Sequence, residues 1–203
     1  NIPYHIVVEP QDYENYEKIH GKENLVCLDQ NDGGITYVRN FIHTYSAKHD
    51  KTNYHWQMDD DIHYFEFRDP WKESRKNYKV DPIEALNVVE YVANRYSNIA
   101  GLGIDSDVYA FSKKYSAEIN KLIYTTMLIN NEVVFSFRRG TDGIEDWDFT
   151  LLALTNNWCT ISFHHVMDKV GVTGKNPGGN EDIFVDDRKE LYSNFISKYW
   201  PNF

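Results

Sequence analysis

Three consecutive carboxylates, Asp59 to Asp61, follow an apolar run in the stretch YHWQMDDDIHYFEF. Such groups repel one another, and a divalent cation would remove the repulsion. Alternate residues at the end of a strand, here Asp59 and Asp61, can point to one ion. Carboxylate oxygens, with room left for water and substrate phosphates, suit Mg²⁺ or Mn²⁺. A solvated acidic turn is the simpler alternative, but the apolar approach favours a metal site.

Two further segments offer groups that could work with such a site. DQNDGGITYVRN places a glycine pair before a helix, and Arg39 within that helix has the planar fork that pairs with a diphosphate. GIEDWDF offers Glu145 and Asp146, of which one could act as a general base on an acceptor hydroxyl. Each also has an ordinary explanation, as a surface arginine or as acids that favour a helix N-terminus.

The elements that would position these groups alternate along the first part of the chain. Apolar runs in YHIVVEP, NLVCLDQN and YHWQMD predict strands, whereas QDYENYEKI and ITYVRNFIHTYSAKH predict helices between them. This order predicts an α/β fold with a mostly parallel sheet flanked by helices, in one domain over residues 1–203. Ligands of such sheets bind beyond the carboxyl ends of the strands, where the acidic triplet falls.

The second part of the chain continues with both kinds of element. A helix is predicted in DPIEALNVVEYVANRYS, because Asp81 can cap it and Pro82 fits its first position. IAGLGID predicts a strand and a glycine turn, and LIYTTMLINNEVVFSFR predicts a hairpin around Asn130 and Asn131. A helix beginning at Glu145, a strand in WCTISFHHVMDKV, a loop in VTGKNPGGNED and a final helix in DDRKELYSNFISKYW complete the chain.

Composition limits the class of protein. With 203 residues, 41% of them apolar, the chain can bury a substantial core. It has no apolar run long enough for a membrane span, and its start lacks a signal-peptide pattern, so we expect a cytoplasmic protein without membrane contact. A net charge of −10 argues against a general nucleic-acid coat, although a local basic groove stays open. Cys27 and Cys159 predict reduced core thiols rather than a disulfide.

Taken in order, these motifs resemble those of the GT-A fold, the Rossmann-like fold of many nucleotide-sugar glycosyltransferases. Asp59 to Asp61 resemble their D-x-D motif, and Gly33 to Asn40 resemble their glycine-rich segment followed by Arg-Asn. Ile144 to Asp146 resemble the x-E-D motif, which supplies the catalytic base in inverting members. Many members carry a late histidine that completes the metal shell, and His164 and His165 are the candidates.

A narrower resemblance is to the TET/JBP-associated glycosyltransferases of phages and eukaryotes. It is carried by YHIVVEPQDYENY, NDGGITYVRNFI, WQMDDDI, EDWDF and TGKNPGG. That family is thought to glycosylate hydroxymethylated pyrimidines in DNA, including hydroxymethylcytosine. The resemblance therefore implies an intracellular enzyme, in a phage-infected host or another cell, that moves a sugar from a UDP-sugar to DNA with Mn²⁺ or Mg²⁺ as cofactor. The acidic balance of the chain departs from what a DNA enzyme leads one to expect.

The resemblance also implies a role for each candidate residue. The metal would be held by Asp61 and Asp59 with His165 or His164, and Asp146 would be the base, with Glu145 the second choice. The donor-binding candidates are Glu9, Tyr13, Asp29, Arg39, Asp59, Asp60 and Lys175. Among them, Glu9 or Asp29 would hydrogen-bond the nucleotide base and Tyr13 would stack on it. The segment from Lys175 to Gly179 would order over the diphosphate or be a disordered loop without function.

Other residues are candidates for contacts with the sugar or the acceptor. Gly101, Gly103 and Asp105 could lie near the donor or acceptor sugar, or form a plain turn. An aromatic group after the triplet could stack on an acceptor ring or a flipped base, or simply pack in the core: Tyr64, Phe65, Phe67 and Trp71. A basic group could meet a DNA backbone or belong to a solvated loop: Arg68, Lys72, Arg75, Lys76 and Lys79.

Three rival functions remain open from the sequence. One is a GT-A glycosyltransferase with a carbohydrate or other non-DNA acceptor. A second is a metal-dependent nuclease or phosphoryl-transfer enzyme, which needs acids converging around metals ~4 Å apart and leaves the Arg-Asn helix unexplained. A third is an inactive domain that serves as a binding module.

Overall fold

The structure is a computed structural model that describes residues 2–69, 77–110, 113–171 and 188–202. These residues form an α/β fold with a two-stranded parallel sheet and a seven-stranded mixed sheet. Among them, no helix combines the length and the apolar character that crossing a bilayer requires.

The small sheet and its two helices come first in the chain. Strands β1 (Ile6–Val8) and β2 (Leu25–Cys27) pair in parallel, with helix α1 (Tyr13–His20) between them. Helix α2 (Ile35–His49) follows and coincides with the predicted helical segment. The alternation of strand and helix predicted for this part of the chain is therefore confirmed.

The large sheet begins after α2. Its first strands are β3 (Tyr54–Met58), β4 (Ile62–Arg68) and β5 (Asn77–Val80). Helix α3 (Pro82–Ala93) begins as predicted, because the Asp81 side chain accepts a hydrogen bond of 2.8 Å from the backbone N–H of Ile83. The later elements are β6 (Ile99–Ser106), α4 (Asp107–Ala110), β7 (Ala117–Ile119), β8 (Thr126–Asn130), α5 (Glu145–Thr155), β9 (Cys159–Val170) and α6 (Arg188–Tyr199).

The prediction of a mostly parallel sheet is wrong for the large sheet. Its strand order is β3-β8-β6-β9-β4-β5, with β7 also on β9, and β6–β9 is the one parallel pair among its described strands. The other pairs are antiparallel. A strand that is buried on both faces has the same apolar sequence in either orientation, so its residues do not reveal its direction.

Two local predictions are also wrong, each for a visible reason. Strand β6 runs through Gly101 and Gly103 without a turn. The two glycines are there for packing, because a Cβ at either position would lie 2.7 Å from a side-chain atom of Ile123. The predicted hairpin stops at its first strand, β8. Instead of a second strand, the segment beyond it is held by Asn40, whose side chain bonds the backbone O and N–H of Phe137 at 2.7 and 2.8 Å.

The large sheet is covered by helices on both faces. On one face, Val89 and Ala93 of α3 pack in a cluster with Leu102 and Leu128. On the other face, α5 packs in a second cluster with β8 through Phe149, Ala153, Met127 and Ile129. Alternate residues of β8 thus enter different clusters, as the geometry of a strand requires. All residues of β6 and β8 are buried, which gives the site a rigid support.

The two cysteines are both free thiols, but only part of the prediction for them is right. Cys159 is half-buried at the start of β9. Cys27 is exposed at the end of β2, so its assignment to the core is wrong.

Candidate active site

Arg39 and Asp59 form an ion pair where α2 meets the end of β3. Arg39 Nη2 donates to Asp59 Oδ1 at 2.9 Å, and the arginine is only 4% exposed. A buried charge is costly unless it is paired, and Asp59 supplies the pairing. Arg39 Nε has no hydrogen-bond partner among the described residues. The sequence therefore singled out two residues that the fold brings into contact. The Nε donor of the Arg39 guanidinium is not used in their ion pair.

Glu145 and Asp146 lie beside this ion pair, in the first turn of α5. Burial is the main cause that raises the pKa of Glu145 to about 7 and that of Asp146 to about 6. The charge of Arg39 lowers both pKa values and that of Asp59 raises them, which places the four residues in one electrostatic neighbourhood. The structure thus unites the predicted base candidates with the predicted diphosphate-binding arginine.

The glycine pair before α2 has a structural explanation. Asp142 Oδ1 accepts hydrogen bonds from the backbone N–H and the hydroxyl of Thr36, at 3.0 and 3.1 Å. Gly34 has a positive φ of 78°, and a Cβ there would lie 2.7 Å from Asp142 Oδ1. Asp142 thus ties the start of α2, and with it Arg39, to the loop that leads into α5. Sequence reasoning missed this residue, although Asp142-Gly143 is a recognisable turn signal.

A second group of acids lies around Asp168 of β9. Asp168 is 0% exposed; its Oδ2 accepts a hydrogen bond of 2.6 Å from the Thr126 hydroxyl, and its Oδ1 has no partner among the described residues. Burial raises the pKa of Asp168 to about 7, with further contributions from the charges of Asp105, Asp59 and Asp61. Sequence reasoning did not identify Asp168, although a carboxylate inside the apolar strand WCTISFHHVMDKV was a usable signal.

His164 is a buried link between two carboxylates. Its Nδ1 lies 2.9 Å from Asp105 Oδ2 and its Nε2 lies 3.0 Å from Glu118 Oε2. Asp105 also accepts a hydrogen bond from the Tyr124 hydroxyl, and burial is the first cause that raises the pKa of Tyr124. Both ring nitrogens of His164 are therefore engaged by side chains other than the acidic triplet. Glu118 and Tyr124 were not singled out from the sequence.

His165 points to a different environment from His164. It is half-buried, and its pKa is lowered first by burial and then by the charges of Arg68 and His164. Among the described residues, His164 thus contacts Asp105 and Glu118, and the charges that act on His165 are likewise outside the Asp59–Asp61 triplet. Their role as metal ligands stays a prediction.

The residues of the triplet differ in their surroundings. Asp59 is in the ion pair, Asp60 is exposed, and Asp61 is half-buried with its backbone O bonded to the N–H of Gly171 at 3.2 Å. Within the described ranges, no three His, Cys, Asp or Glu side chains are arranged to hold a metal ion. Mg²⁺ commonly binds through one or two carboxylates and takes its other oxygens from water and substrate phosphates. Asp168 Oδ1, which is buried and has no partner among the residues that the structure describes, interacts electrostatically with Asp59 and Asp61 and is the kind of ligand that such a cation would take.

The residues predicted to bind the nucleotide lie around the small sheet. Glu9 accepts hydrogen bonds from the backbone N–H of Asp32 at 3.1 Å and from Gln11 Nε2 at 2.7 Å, so it orders the loop after β2. Asp29 has an exposed side chain, and Tyr13 is half-buried at the start of α1. Their roles stay predictions, and Lys175 to Gly179 lie outside the described residues.

The residues considered for the acceptor separate into two groups. Phe65 is buried and Phe67 partly buried in the core cluster beneath α3, and Arg68 is buried with its guanidinium donating to the backbone O of Ala110. Phe65, Phe67 and Arg68 thus contribute to packing and hydrogen bonding within the fold. Tyr64 lies beneath the ammonium of Lys79, which is 3.7 Å from its ring centroid. Trp71, Lys72, Arg75 and Lys76 lie outside the described residues.

An α/β fold with a buried arginine among carboxylates of raised pKa is typical of the active site of an enzyme. A sequence model of the TET-Associated Glycosyltransferase family matches residues 1–179, and the chain belongs to this family. It is therefore a glycosyltransferase, with a sugar donor and an acceptor as substrates. No curated protein and no solved structure matches the chain significantly.

Proposed function

We propose that the protein is a metal-dependent, inverting glycosyltransferase of the GT-A type that moves a sugar from a UDP-sugar to the hydroxymethyl group of a modified pyrimidine in DNA. The family supplies the general reaction, glycosyl transfer. The observation that carries the finer proposal is the neighbourhood of Arg39, Asp59, Glu145 and Asp146, since it combines a cation for a leaving group with acids suited to proton transfer.

The donor half of the proposal rests on charge. Arg39, whose Nε has no hydrogen-bond partner in the described part of the chain, is the cation that would pair with a diphosphate oxygen, and Asp59 and Asp61 are the carboxylates that would hold Mn²⁺ or Mg²⁺. When bound, the cation would act as a Lewis acid that stabilises negative charge on the departing diphosphate. Asp168 interacts electrostatically with both Asp59 and Asp61, and its charge would favour a cation at this place.

The acceptor half of the proposal rests on the two acids of α5. A general base works best when its pKa lies near the working pH, and the pKa of Asp146, about 6, leaves it ionised at neutral pH. Asp146 is half-buried whereas Glu145 is buried, so Asp146 is the better placed to reach an acceptor. Asp146 takes the proton of the acceptor hydroxyl as its oxygen attacks the anomeric carbon. The bond from that carbon to the diphosphate oxygen breaks on the opposite side, which inverts the centre.

A pyrimidine acceptor in DNA is supported by the family's association with TET enzymes, which leave the hydroxyl that such a transfer needs. A carbohydrate or other non-DNA acceptor is the second candidate. It is favoured by the net charge of −10 and by the burial of Arg68, one of the residues considered for a DNA backbone.

Thermal unfolding with a panel of nucleotide sugars, with and without Mn²⁺, tests the donor half. A ligand at a hundred times its dissociation constant stabilises by about 2.7 kcal/mol, or roughly 5–11 °C for a chain of this size. We expect one UDP-sugar to stabilise the protein only when Mn²⁺ is present, and Asp61→Asn to abolish that increment. The absence of stabilisation by every nucleotide sugar would refute the donor assignment.

Mass spectrometry of hydroxymethylated and plain DNA, each incubated with that donor, tests the acceptor half. We expect one hexose on the hydroxymethylated strand and none on plain DNA. Asp146→Asn should abolish transfer while donor binding remains, because the amide cannot accept the proton. Transfer to a sugar acceptor instead of DNA would select the second candidate, and full activity of Asp146→Asn would show that the base is a different residue.

A further inference from the structure

The C-terminal segment contacts the first turn of α5, the turn that carries the candidate base. Trp200 Nε1 donates to Asp148 Oδ1 at 2.9 Å, and Asp148 is 0% exposed. Asp148 follows Asp146 by two residues in the same helical turn. A buried carboxylate left without donors is costly, so the contact with Trp200 is strongly favoured.

Arg138 completes the surroundings of Asp148. Its Nε lies 3.3 Å from Asp148 Oδ2, and its guanidinium carbon lies 4.9 Å from the ring centroid of Tyr199 and 5.2 Å from that of Trp200. The guanidinium thus contacts the carboxylate and the faces of two aromatic rings, both of which are favourable contacts. Asp148, Arg138, Tyr199 and Trp200 form one unit that joins the C-terminal segment to the start of α5.

A second contact joins α6 to the same turn from another direction. The rings of Trp147 and Tyr192 have centroids 5.3 Å apart and an interplanar angle of 39°. Successive residues on a helix point about 100° apart, so the contacts at Trp147 and Asp148 act on α5 from two directions. Together they resist rotation of the helix about its own axis. Such a rotation would carry Glu145 and Asp146 away from Arg39 and Asp59.

We propose that Trp200 is a positioning residue for the transfer reaction: by holding Asp148, it sets the rotation of α5 and thereby the place of Asp146. This inference rests on the proposed function, because it assumes that Asp146 is the base. Helix α6 and Trp200 lie beyond residues 1–179, which the family model matches. A side-chain end lies about 6 Å from a helix axis, so a rotation of roughly 10° moves it about 1 Å. A displacement of that size can lower the rate of a positioned reaction by up to about a hundredfold.

Trp200→Phe is the variant that tests the role, since it keeps an aromatic ring and removes the N–H donor. Trp158→Phe is the matched control, because Trp158 is a partly buried tryptophan that packs in the core beyond the other end of α5. Hydrogen exchange of the amides of residues 148–151 reads the position of the turn without any substrate. We expect these amides to exchange at least fivefold faster in Trp200→Phe and to be unchanged in Trp158→Phe.

Steady-state kinetics give the second readout. We expect kcat to fall about tenfold or more in Trp200→Phe while the donor KM changes less than twofold, because donor binding depends on Arg39 and Asp59 rather than on α5. A general loss of folding would instead speed amide exchange throughout the described residues, whereas the positioning role predicts faster exchange in the first turn of α5 alone. Should Trp200→Phe fail to fold, Arg138→Met removes the ion-pair partner of Asp148 and must give the same pattern in both readouts.

The outcomes separate this inference from the function on which it rests. If the wild-type protein transfers no sugar from any donor, the proposed function fails, and the exchange measurement still decides whether Trp200 holds the turn. If the wild-type protein is active and Trp200→Phe matches Trp158→Phe in exchange and in kcat, the positioning role is refuted.

Discussion

Replacing Asp168 by asparagine should make the protein more stable at neutral and alkaline pH. Asp168 is fully buried beside other acids, and its ionised form lacks a partner for Oδ1 in the described part of the chain. An asparagine has nearly the same shape, remains neutral, and can still accept the hydrogen bond from the Thr126 hydroxyl through its amide oxygen. The substitution therefore removes a buried charge without removing a contact.

The size of the effect follows from the pKa of Asp168, which is raised from an ordinary aspartate value to about 7. A pKa difference of one corresponds to ~1.4 kcal/mol, so the whole difference corresponds to about 4 kcal/mol. Because the ionisation of Asp168 is coupled to that of the neighbouring acids, we expect the substitution to raise the unfolding free energy at pH 8 by about 2–4 kcal/mol. The folded protein binds the proton of Asp168 more tightly than the unfolded chain does. The stability that this proton contributes is therefore complete below pH ~4 and is lost as the pH rises through about 7.

Urea unfolding at several pH values between 4.5 and 8 is the assay. The variant should exceed the wild type by about 2–4 kcal/mol at pH 8 and by less than ~1 kcal/mol at pH 4.5, where Asp168 binds a proton. Its stability should also fall less steeply with pH, with the remaining slope due to Glu145 and Asp146. Asp60→Asn is the control, because exposed substitutions usually change stability by less than ~0.5 kcal/mol. A variant that is less stable than the wild type at pH 8, or that keeps the full slope, would refute the reasoning.

Three other predictions concern the tie between the helices, the packing of β6 and the pH dependence of the rate. Asp142→Ala should lower the unfolding free energy by about 1–2 kcal/mol, since Thr36 loses its capping acceptor, whereas Asp142→Asn should lose less than half of that in the same thermal scan. Gly101→Ala should lower the unfolding free energy by about 1–3 kcal/mol, and adding Ile123→Val should restore part of it by removing the Cδ1 atom that lies 2.7 Å from the new Cβ. In Gly103→Ala the new Cβ would meet Ile123 Cβ, which valine keeps, so an equal rescue of that variant would contradict this account. The kcat/KM for transfer should rise with pH through about 6, as Asp146 ionises, and a pH profile with its acid limb near 4 would assign the base to an ordinary carboxylate.

The parts of the fold that local sequence decides were predictable. The bounds of α2 and the capped start of α3 follow from helical spacing, a glycine pair, and an Asp-Pro step, all of which act over a few residues. Strand direction is a property of connections between distant segments, so the mixed sheet was not predictable from apolar runs. The glycines of β6 show the same limit, because their reason is the distant side chain of Ile123.

The candidate site divides in the same way. Arg39, Asp59, Glu145 and Asp146 were found because each belongs to a short motif with its own chemical meaning. For Asp168 the sequence offered one signal, a carboxylate inside an apolar strand, but its burial next to acids of other strands is visible only in the fold. Partners such as Asp142, Glu118 and Trp200 each serve a residue far away in the chain, and no local pattern signals such a contact.

Strand β9 has a consequence for how the nascent chain acquires this site. One edge of β9 pairs with β6, and its other edge pairs with β7 in the first half and with β4 in the second half, so β9 joins parts of the sheet that are made earlier. During synthesis, β3, β8 and β6 can pair beforehand, and β4 and β5 can form their own hairpin. The two pieces can associate only after the ribosome has released residues 159–170. Until then their strand edges stay open to other chains, and a chaperone that covers them would raise the yield of active enzyme.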